Sequence, residues 1–253
     1  MYRLGWFSTG KGEGSRQLFL TVWEAIQSGE LEAEIPFIFI NRELGEAEGS
    51  DRFLELVRSR NLPTVCVSSQ RFKERFDKER WRHEFEQEAM SRLAGFRPDL
   101  SVLAGYMLIV GSEMCRRYTM LNLHPAAPGG PTGTWQQVIR KLIDEGARES
   151  GVMMHLVTPE LDTGPPATYC TFPIRGGPFE GHWGDLDNPD ERDRLFRLIR
   201  QEGMKREMPL IVATLKAFAQ GKVRIEGEKV VSAGGQVLKG LDLTAEIDKA
   251  VKG

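Results

Sequence analysis

Residues 35–40 read Ile-Pro-Phe-Ile-Phe-Ile, and this continuous apolar run constrains the fold more than any other part of the chain. A run without a polar face predicts a strand of a parallel sheet, because helices cover such strands on both sides. Residues 4–7 predict a first strand, 18–28 the helix that follows it, and 64–67 a further strand. Strands that alternate with helices in this way predict an α/β fold with a doubly wound, mostly parallel sheet.

The C-terminal part of the chain has a different pattern. Residues 191–220 predict one long amphipathic helix, with Gly203 and Pro209 as the places where it could break. Residues 222–237 predict a hairpin that turns at Glu226-Gly227-Glu228, and residues 241–251 predict a terminal helix.

Length and charge bound the class of protein. With 253 residues the chain can bury one substantial core, so we predict a domain of residues 1–225 and a C-terminal extension, 226–253, packed on it. The 34 basic and 36 acidic residues give a net charge of −2, which does not support a nucleic-acid or bilayer surface. No apolar run approaches the ~18 residues of a membrane span, and the N-terminus lacks the apolar segment of a signal peptide. We therefore expect a cytoplasmic protein without nucleic-acid or membrane partners.

The spacing of cysteine and histidine predicts no metal cofactor. The three cysteines, Cys66, Cys115 and Cys170, are far apart and odd in number, which is typical of reduced thiols. The four histidines show no spacing typical of metal ligands either.

Residues 121–125, Leu-Asn-Leu-His-Pro, have the alternation of a strand with one buried face. Asn122 and His124 therefore point to the same side, and Pro125 places His124 at the strand end. An amide donor beside an imidazole suits the stabilisation of an oxyanion and the movement of a proton. Taken singly, either residue is more often a satisfied structural group.

A second polar side chain follows another predicted strand, 152–157. The turn Leu161-Asp162-Thr163-Gly164-Pro165 presents Asp162 there, although such a segment could be only a turn. An aspartate in this position could act as a base or hold His124 in one tautomer. His155, within the strand, is expected to give structural support.

The segment between the first strand and the first helix is rich in glycine. It could present backbone N–H groups to an anion at the helix N-terminus, with Lys11 and Arg16 adding positive charge. It is not a Walker A loop, because Gly12 follows Lys11 where a magnesium-binding Ser or Thr would stand. A flexible surface turn is the alternative for an isolated Gly-x-Gly.

Residues 106–110, Tyr-Met-Leu-Ile-Val, form an unusually apolar segment after the strand that ends near Ala104. Such a segment could belong to the packed core or could offer an apolar wall to a ligand. The sequence alone does not favour one of these two interpretations over the other.

Together these motifs resemble one known family. Asn-Leu-His-Pro, followed about 30 residues later by His-x-Val-x-x-Glu-Leu-Asp-x-Gly-Pro, resembles the 10-formyltetrahydrofolate-dependent formyltransferases. Residues 12–16 are similar to the family's Gly-x-Gly-Ser-Asn, with Arg16 in place of Asn. Within that family, the chain resembles the phosphoribosylglycinamide formyltransferase branch. The resemblance implies a Rossmann-like, doubly wound formyltransferase sheet with a long C-terminal helix and a hairpin.

The resemblance also implies an activity. The enzyme would move a formyl group from 10-formyltetrahydrofolate to a primary amine, in the first instance that of 5′-phosphoribosylglycinamide in de novo purine biosynthesis. Asn122 and protonated His124 would stabilise the oxyanion of the tetrahedral intermediate. Asp162 would sustain the charge of His124 and relay protons.

The same resemblance assigns two binding segments. The substrate phosphate would be held by Lys11, Gly12, Glu13, Gly14, Ser15 and Arg16. The folate cosubstrate would be held by Tyr106, Met107, Leu108, Ile109, Val110, Thr158, Pro159, Glu160 and Leu161. The expected partners are thus the folate cosubstrate and a phosphorylated small-molecule amine, and the expected assembly is a monomer or homodimer.

Two departures from the family keep other functions open. Relatives commonly carry Arg at the position of Leu108, and Met204 stands where a Glu holds the ribose, with Glu202 and Glu207 nearby. The alternatives are a formyltransferase acting on another amine such as a sugar nucleotide, a formyltetrahydrofolate hydrolase, and an inactive folate-binding homologue.

Overall fold

The computed structural model of the protein describes residues 1–252. Its strands are β1 (Tyr2–Ser8), β2 (Ala33–Ile40), β3 (Thr64–Cys66), β4 (Leu100–Leu103), β5 (Met120–His124), β6 (Glu149–Leu156), β7 (Pro166–Pro173), β8 (Val223–Glu226), β9 (Lys229–Ser232) and β10 (Leu241–Asp242). Its α-helices are α1 (Glu13–Gln27), α2 (Glu48–Arg58), α3 (Ser69–Arg75), α4 (Trp81–Arg92), α5 (Ser112–Arg117), α6 (Trp135–Asp144), α7 (Pro189–Ala219) and α8 (Thr244–Lys252).

Eight strands form one sheet in the order β10-β7-β6-β5-β4-β1-β2-β3. β1 pairs in parallel with β2 and β4, β2 with β3, β4 with β5, and β7 with β10, whereas β6 and β7 are antiparallel. The predicted α/β fold with a mostly parallel sheet is confirmed. The predicted hairpin is confirmed as well, as the antiparallel pair β8–β9.

The chain divides into two compact units. The first comprises residues 1–122 and 156–160, and the second comprises residues 123–155 and the chain from residue 161 onward. The boundary that we predict after residue 225 falls inside β8. The division into residues 1–225 and 226–253 stays a prediction.

Aromatic side chains fill the core of the first unit. Phe7 and Phe39 are fully buried in neighbouring strands, and their ring centroids are 5.3 Å apart. Tyr106 meets Phe7 edge to face at 6.2 Å. The perpendicular arrangement of Tyr106 and Phe7 suits the charge distribution of aromatic rings. The apolar run of residues 35–40 is buried as its sequence predicts, apart from partly exposed Pro36.

The core of the second unit is formed by α6, α7, α8 and the strands that they cover. In α6 the buried residues are Val138, Ile139, Leu142 and Ile143, the spacing of a helix with one apolar face. Thr134 and Gln137 fix the start of α6 through a capping box, in which each side chain bonds the other residue's backbone N–H.

Some predicted bounds are wrong. α1 begins at Glu13 rather than at residue 18, because Gly12 is extended and acts as the N-cap. α7 is continuous through Gly203 and Pro209, since burial of Leu210, Ile211 and Leu215 outweighs the local preference to break. α3, α5 and β10 are short elements that the sequence did not predict. Within residues 1–252, no helix combines the length and the apolar character needed to cross a membrane.

Candidate active site

His124 is the last residue of β5, and Asn122 lies two residues earlier on the same strand. Alternate residues of a strand point to the same face, so the two side chains share one side of β5, as predicted. The His124 side chain is only 2% exposed. A buried imidazole at a strand end is held by its neighbours, so its contacts decide its chemistry.

Both ring nitrogens of His124 face groups of the second unit. Nε2 lies 2.8 Å from the carbonyl oxygen of Pro131. A carbonyl can only accept, so Nε2 carries the proton and donates it to this bond. Nδ1 lies 3.6 Å from Oδ2 of Asp162, and the two groups form an ion pair only when the imidazole is protonated. The imidazole is therefore fixed between a carbonyl and a carboxylate.

Asp162 has a left-handed backbone, with φ of 55°. Aspartate tolerates this region better than most residues, and side chains held in this way are often found at functional sites. The Gly133 N–H donates to Oδ2 of Asp162 at 3.1 Å. The carboxylate on the turn at residues 161–165 is therefore held by the backbone of Gly133 as well as by its histidine neighbours.

His155 is part of the same cluster. Its Nε2 lies 3.6 Å from Oδ1 of Asp162, and its ring is nearly perpendicular to that of His124 at 6.0 Å between centroids. The pairing of β6 with β7 shifts register between Met154 and His155, and such irregularities re-aim side chains. From the sequence, only structural support is expected of His155. His155 lies near the end of β6, as His124 lies at the end of β5. This shared position at a strand end was the sequence feature from which a contact between His155 and the site residues could be predicted.

The pKa values follow from these contacts. Burial lowers the pKa of His124 from its ordinary value of 6.5, opposed by the bond to Pro131 and the charge of Asp162. Burial alone would raise the pKa of Asp162, but the contacts with His155, Gly133 and His124 outweigh it and leave that pKa below 3.8. The resting state at neutral pH is a neutral imidazole beside an ionised carboxylate. Burial disfavours the charged ring in the free protein, and the protonated His124 expected in the tetrahedral intermediate stays a prediction.

The glycine-rich segment belongs to the first unit. Residues 11–14 are exposed, and the chain enters α1 at Glu13, so the last four of the six residues expected to bind phosphate form the helix's first turn. The first-turn N–H groups of a helix lack intrahelical partners, and Gly12 has no side chain with which to cap them. This segment can therefore offer backbone donors to an anion.

Ser15 and Arg16 are oriented differently from residues 11–14. Ser15 is buried, and its Oγ packs against the backbone of Gly105. Arg16 is partly buried and donates from Nη1 to the Gly49 carbonyl at 3.4 Å. Lys11 is exposed, so it is the more accessible of the two residues expected to supply positive charge.

The apolar segment Tyr106–Val110 also lies in the first unit, between β4 and α5. Tyr106 and Val110 are buried, whereas Met107 is 68% and Ile109 is 38% exposed. Leu108 is partly buried. The loop therefore presents two large apolar side chains at the surface.

Residues 158–161 connect β6 to Asp162. Thr158 donates from Oγ1 to the Glu160 carbonyl at 3.1 Å, which closes the turn. Pro159, Glu160 and Leu161 are exposed. Among the described residues, no group of three or more His, Cys, Asp and Glu side chains is arranged to hold a metal ion.

The fold and the His–Asp pair have the form of an α/β enzyme, with groups suited to acid–base chemistry at a strand end. The sequence profile of the family described as formyl transferase matches residues 13–175. The chain therefore belongs to the formyl transferase family, which confirms the resemblance inferred from the motifs.

Named relatives agree with this assignment. The phosphoribosylglycinamide formyltransferase of Escherichia coli K12 is 26% identical over 172 residues, 67% of this chain and 73% of the relative. That of Saccharomyces cerevisiae is 28% identical over 179 residues, 66% of this chain and 80% of the relative. A solved phosphoribosylglycinamide formyltransferase from Coxiella burnetii has a TM-score of 0.72 at 22% identity, covering 95% of this chain and 98% of its own. The similarity to the solved structure from Coxiella burnetii shows that the two chains share a fold.

Proposed function

We propose that the protein transfers the formyl group of 10-formyltetrahydrofolate to the amine of 5′-phosphoribosylglycinamide. The observation that carries the proposal is the buried His124, held between the Asp162 carboxylate and the Pro131 carbonyl. Family membership supports formyl transfer. The names of the relatives from Escherichia coli and Saccharomyces cerevisiae support this acceptor.

The reaction exchanges one C–N bond for another. The acceptor amine attacks the formyl carbon, a tetrahedral intermediate forms, the bond from carbon to N10 breaks, and one amine proton passes to N10. The side-chain amide of Asn122 stabilises the oxyanion, a role worth about 3 kcal/mol for one donor. The neutral His124 with ionised Asp162 can accept the amine proton and return it to N10. The protonated His124 then arises during the reaction, with Asp162 balancing its charge.

If His124 is also to donate to the formyl oxygen, its Nε2–H must give up the hydrogen bond to Pro131. Its Nε2–H is engaged by the Pro131 carbonyl, which lies at the end of the loop of residues 126–131. The loop contains Gly129 with a φ of 77°, and a side chain built there would meet no neighbour within 4 Å. A small shift of this loop would free the Nε2 donor for substrate.

The folate cosubstrate is assigned to Tyr106–Val110 and to Thr158, Pro159, Glu160 and Leu161. Exposed Met107 and Ile109 supply apolar contact for a ring system. Leu108 has an uncharged side chain, so a carboxylate of the ligand must be held elsewhere.

The phosphate of the acceptor is assigned to Lys11–Arg16. The assignment rests on the first-turn N–H groups of α1 and on the exposed charge of Lys11. The position expected to hold the acceptor's ribose departs from the family pattern. Met204 on α7 cannot accept a hydrogen bond as a Glu would, and Glu202 and Glu207 are already engaged. Their partners are Lys205 and Arg206 for Glu202, and Arg200 for Glu207.

Because Glu202 and Glu207 are already paired, a second candidate acceptor is a phosphorylated amine that needs no such contact to its ribose. An amino sugar nucleotide is an example. The discriminating experiment incubates the purified protein with 10-formyltetrahydrofolate and either phosphoribosylglycinamide, an amino sugar nucleotide, or no amine. Formyl loss that depends on phosphoribosylglycinamide is the expected result. Loss only with the sugar nucleotide contradicts the purine assignment.

The arm without an amine tests two other candidates. Equal formyl loss in the presence and absence of amines means hydrolysis. Binding of the folate without loss in any arm means an inactive homologue. In either case the acceptor assignment is wrong.

A further inference from the structure

Thr9 connects the two ligand-binding segments proposed for the first unit. It lies between β1 and α1 and is 2% exposed. Its N–H donates to the Gly105 carbonyl at 3.1 Å, and its Oγ1 accepts from the Met107 N–H at 2.9 Å. Its own carbonyl accepts from the Ser50 Oγ at 2.7 Å. The backbone and the side chain of Thr9 are thus both bound to neighbouring segments.

Ser8 extends this connection. Its Oγ donates to the Ala104 carbonyl at 2.7 Å and accepts from the Gly10 N–H at 3.0 Å. Gly105 has φ of 66°, and a Cβ built there would lie 2.1 Å from the Oγ of Ser15. The start of α1 and the start of the apolar loop therefore pack so closely that neither can move far without the other.

The far end of the apolar loop is held separately. Glu86 on α4 is buried, and its Oε1 accepts from the Gly111 N–H at 2.6 Å. The loop is thus fixed at Met107 by Thr9 and at Gly111 by Glu86, while Met107 and Ile109 present their side chains to solvent between these points. The two fixed points differ in one respect: Thr9 is adjacent to the glycine-rich segment, whereas Glu86 belongs to another helix.

We propose that Thr9 is a positioning residue that couples occupancy of the glycine-rich segment Lys11–Arg16 by an anion to folate binding at Tyr106–Val110. An anion that orders residues 10–16 also restrains Thr9, which restrains Met107 through its N–H. The second ligand then meets a loop that is already ordered, so its affinity rises. Linkage makes the effect reciprocal, typically by a factor of about 5 to 150.

The inference rests on the proposed function, because that function assigns the two ligands. It is distinct from a purely structural role for Thr9. A structural role predicts lower stability and weaker binding of both ligands, with an unchanged ratio between folate affinities measured with and without the anion. Coupling predicts that this ratio itself depends on the Thr9 hydroxyl.

The experiment measures the affinity for 5-formyltetrahydrofolate by calorimetry, in the absence and in the presence of inorganic phosphate. We expect phosphate to tighten folate binding about five-fold or more in the wild type. Thr9→Val keeps the shape but leaves the Met107 N–H without its acceptor, so the ratio should fall to about one. Thr9→Ser keeps the hydroxyl and should restore the coupling.

Glu86→Leu is the matched control. It releases the other end of the same loop, so folate binding should weaken while phosphate still tightens it by the wild-type ratio. If Thr9→Val does not fold, amide hydrogen exchange of the wild-type protein takes the place of the calorimetry on that variant. Phosphate alone should then slow exchange of the Met107 amide.

The outcomes separate the two proposals. A wild type that binds folate without any effect of phosphate overturns the coupling alone, as does a Thr9→Val protein with wild-type coupling. Unchanged exchange at Met107 likewise overturns the coupling. A wild type that binds no folate overturns the proposed function, and the coupling with it.

Discussion

At the scale of single residues, the environment of His124 decides which chemistry the site can perform. The bond from Nε2 to Pro131 fixes one tautomer, and the second nitrogen faces the carboxylate of Asp162. Asp162 is in turn held by Gly133 and His155. A charge on the imidazole is disfavoured by burial and is favoured by the bond to Pro131 and by the carboxylate of Asp162.

The first prediction concerns that carboxylate. Asp162→Asn keeps the shape and removes the charge that balances His124 in the transition state. Turnover should fall by roughly 10⁴-fold, the scale known for the aspartate of a Ser-His-Asp triad, while folate affinity stays near that of the wild type. Steady-state kinetics and calorimetry check this. Asp187→Asn, at an exposed loop position, is the control that should keep wild-type turnover. Near-normal turnover of Asp162→Asn would exclude the proposed role.

A second prediction follows from the two lowered pKa values. A neutral His124 contributes stability that is fully present above its unfolded value of 6.5 and is lost as pH falls through its lower folded value. Asp162 acts in the same direction, but its contribution begins to fall only below 3.8. The contribution of this pair to the melting temperature should therefore be constant above pH 6.5 and decrease as the pH falls below it. Replacement of the imidazole in His124→Gln should reduce that decrease relative to wild type; identical profiles would speak against the assignment.

At the scale of elements, the contact of α2 with the glycine-rich segment is unusually close. A Cβ at Gly49 would lie 2.0 Å from the carbonyl oxygen of Lys11. Gly10 packs against Phe53 of α2, and Ser50 bonds the Thr9 carbonyl. The N-terminal turn of α2 thus sets the position of the segment that we assign to the acceptor phosphate.

The third prediction compares two glycines of these helices. Gly49→Ala must displace backbone and should lower the free energy of unfolding by about 1–3 kcal/mol. Gly14→Ala meets no neighbour within 4 Å and lies inside α1, so it should stabilise the fold by about 0.5–1 kcal/mol. Denaturant titration measures both. Similar stabilities for the two variants would contradict the close approach.

The fourth prediction concerns the charge at the start of α1. Lys11→Ala should raise KM for phosphoribosylglycinamide roughly ten- to a hundred-fold, because a charge-assisted contact is worth about 1.5–3 kcal/mol. The KM for the folate should change less. Arg52→Ala removes an exposed cation paired with Glu48 on α2 and serves as the control. An equal effect of both variants would indicate a general change of surface potential.

The longer elements could be predicted from the sequence because each has its own periodicity. β2 and α6 are examples, whereas the seven-residue α3 and the six-residue α5 are too short to show a period. β10 could not be predicted from its own two residues, because it exists through pairing with β7. Gly203 and Pro209 predicted a break in α7 that burial of the surrounding residues overrides.

The candidate site could be predicted in the same partial way. Motif spacing singled out Asn122, His124 and Asp162, and the structure places His124 and Asp162 together. Motif spacing could not reveal the hydrogen bond between His124 and the Pro131 carbonyl. Nor could it reveal the bond between the Thr9 hydroxyl and the Met107 N–H, which are 98 residues apart in sequence. Such contacts depend on how loops return to the strand ends, and local sequence patterns do not encode that.

At the scale of the whole molecule, the last segment of the chain is integral to the second unit. Leu243 and Ile247 are buried in the same apolar cluster as Val152 and Leu195. Arg206 of α7 pairs with Asp248 of α8. The terminal helix therefore contributes to the core as well as covering it.

The fifth prediction tests that contribution. Ile247 is 1% exposed, so Ile247→Ala should lower the free energy of unfolding by about 2–5 kcal/mol through lost burial and the cavity that it leaves. Lys249→Ala, on the exposed side of α8, should change it by less than about 0.5 kcal/mol. Chemical denaturation followed by circular dichroism checks both values. A small effect of Ile247→Ala would show that residues 226–253 are a dispensable extension.

The two outer strands of the sheet, β3 and β10, have three and two residues. An exposed sheet edge recruits other chains through its free backbone groups, and very short outer strands offer too few of them for a foreign strand to bind. β10 pairs with the eight-residue strand β7 and so covers the edge that β7 would otherwise expose. Chains truncated after Gly240 would lose that cover, and concentrated solutions of such fragments should form intermolecular sheets where the full chain stays dispersed.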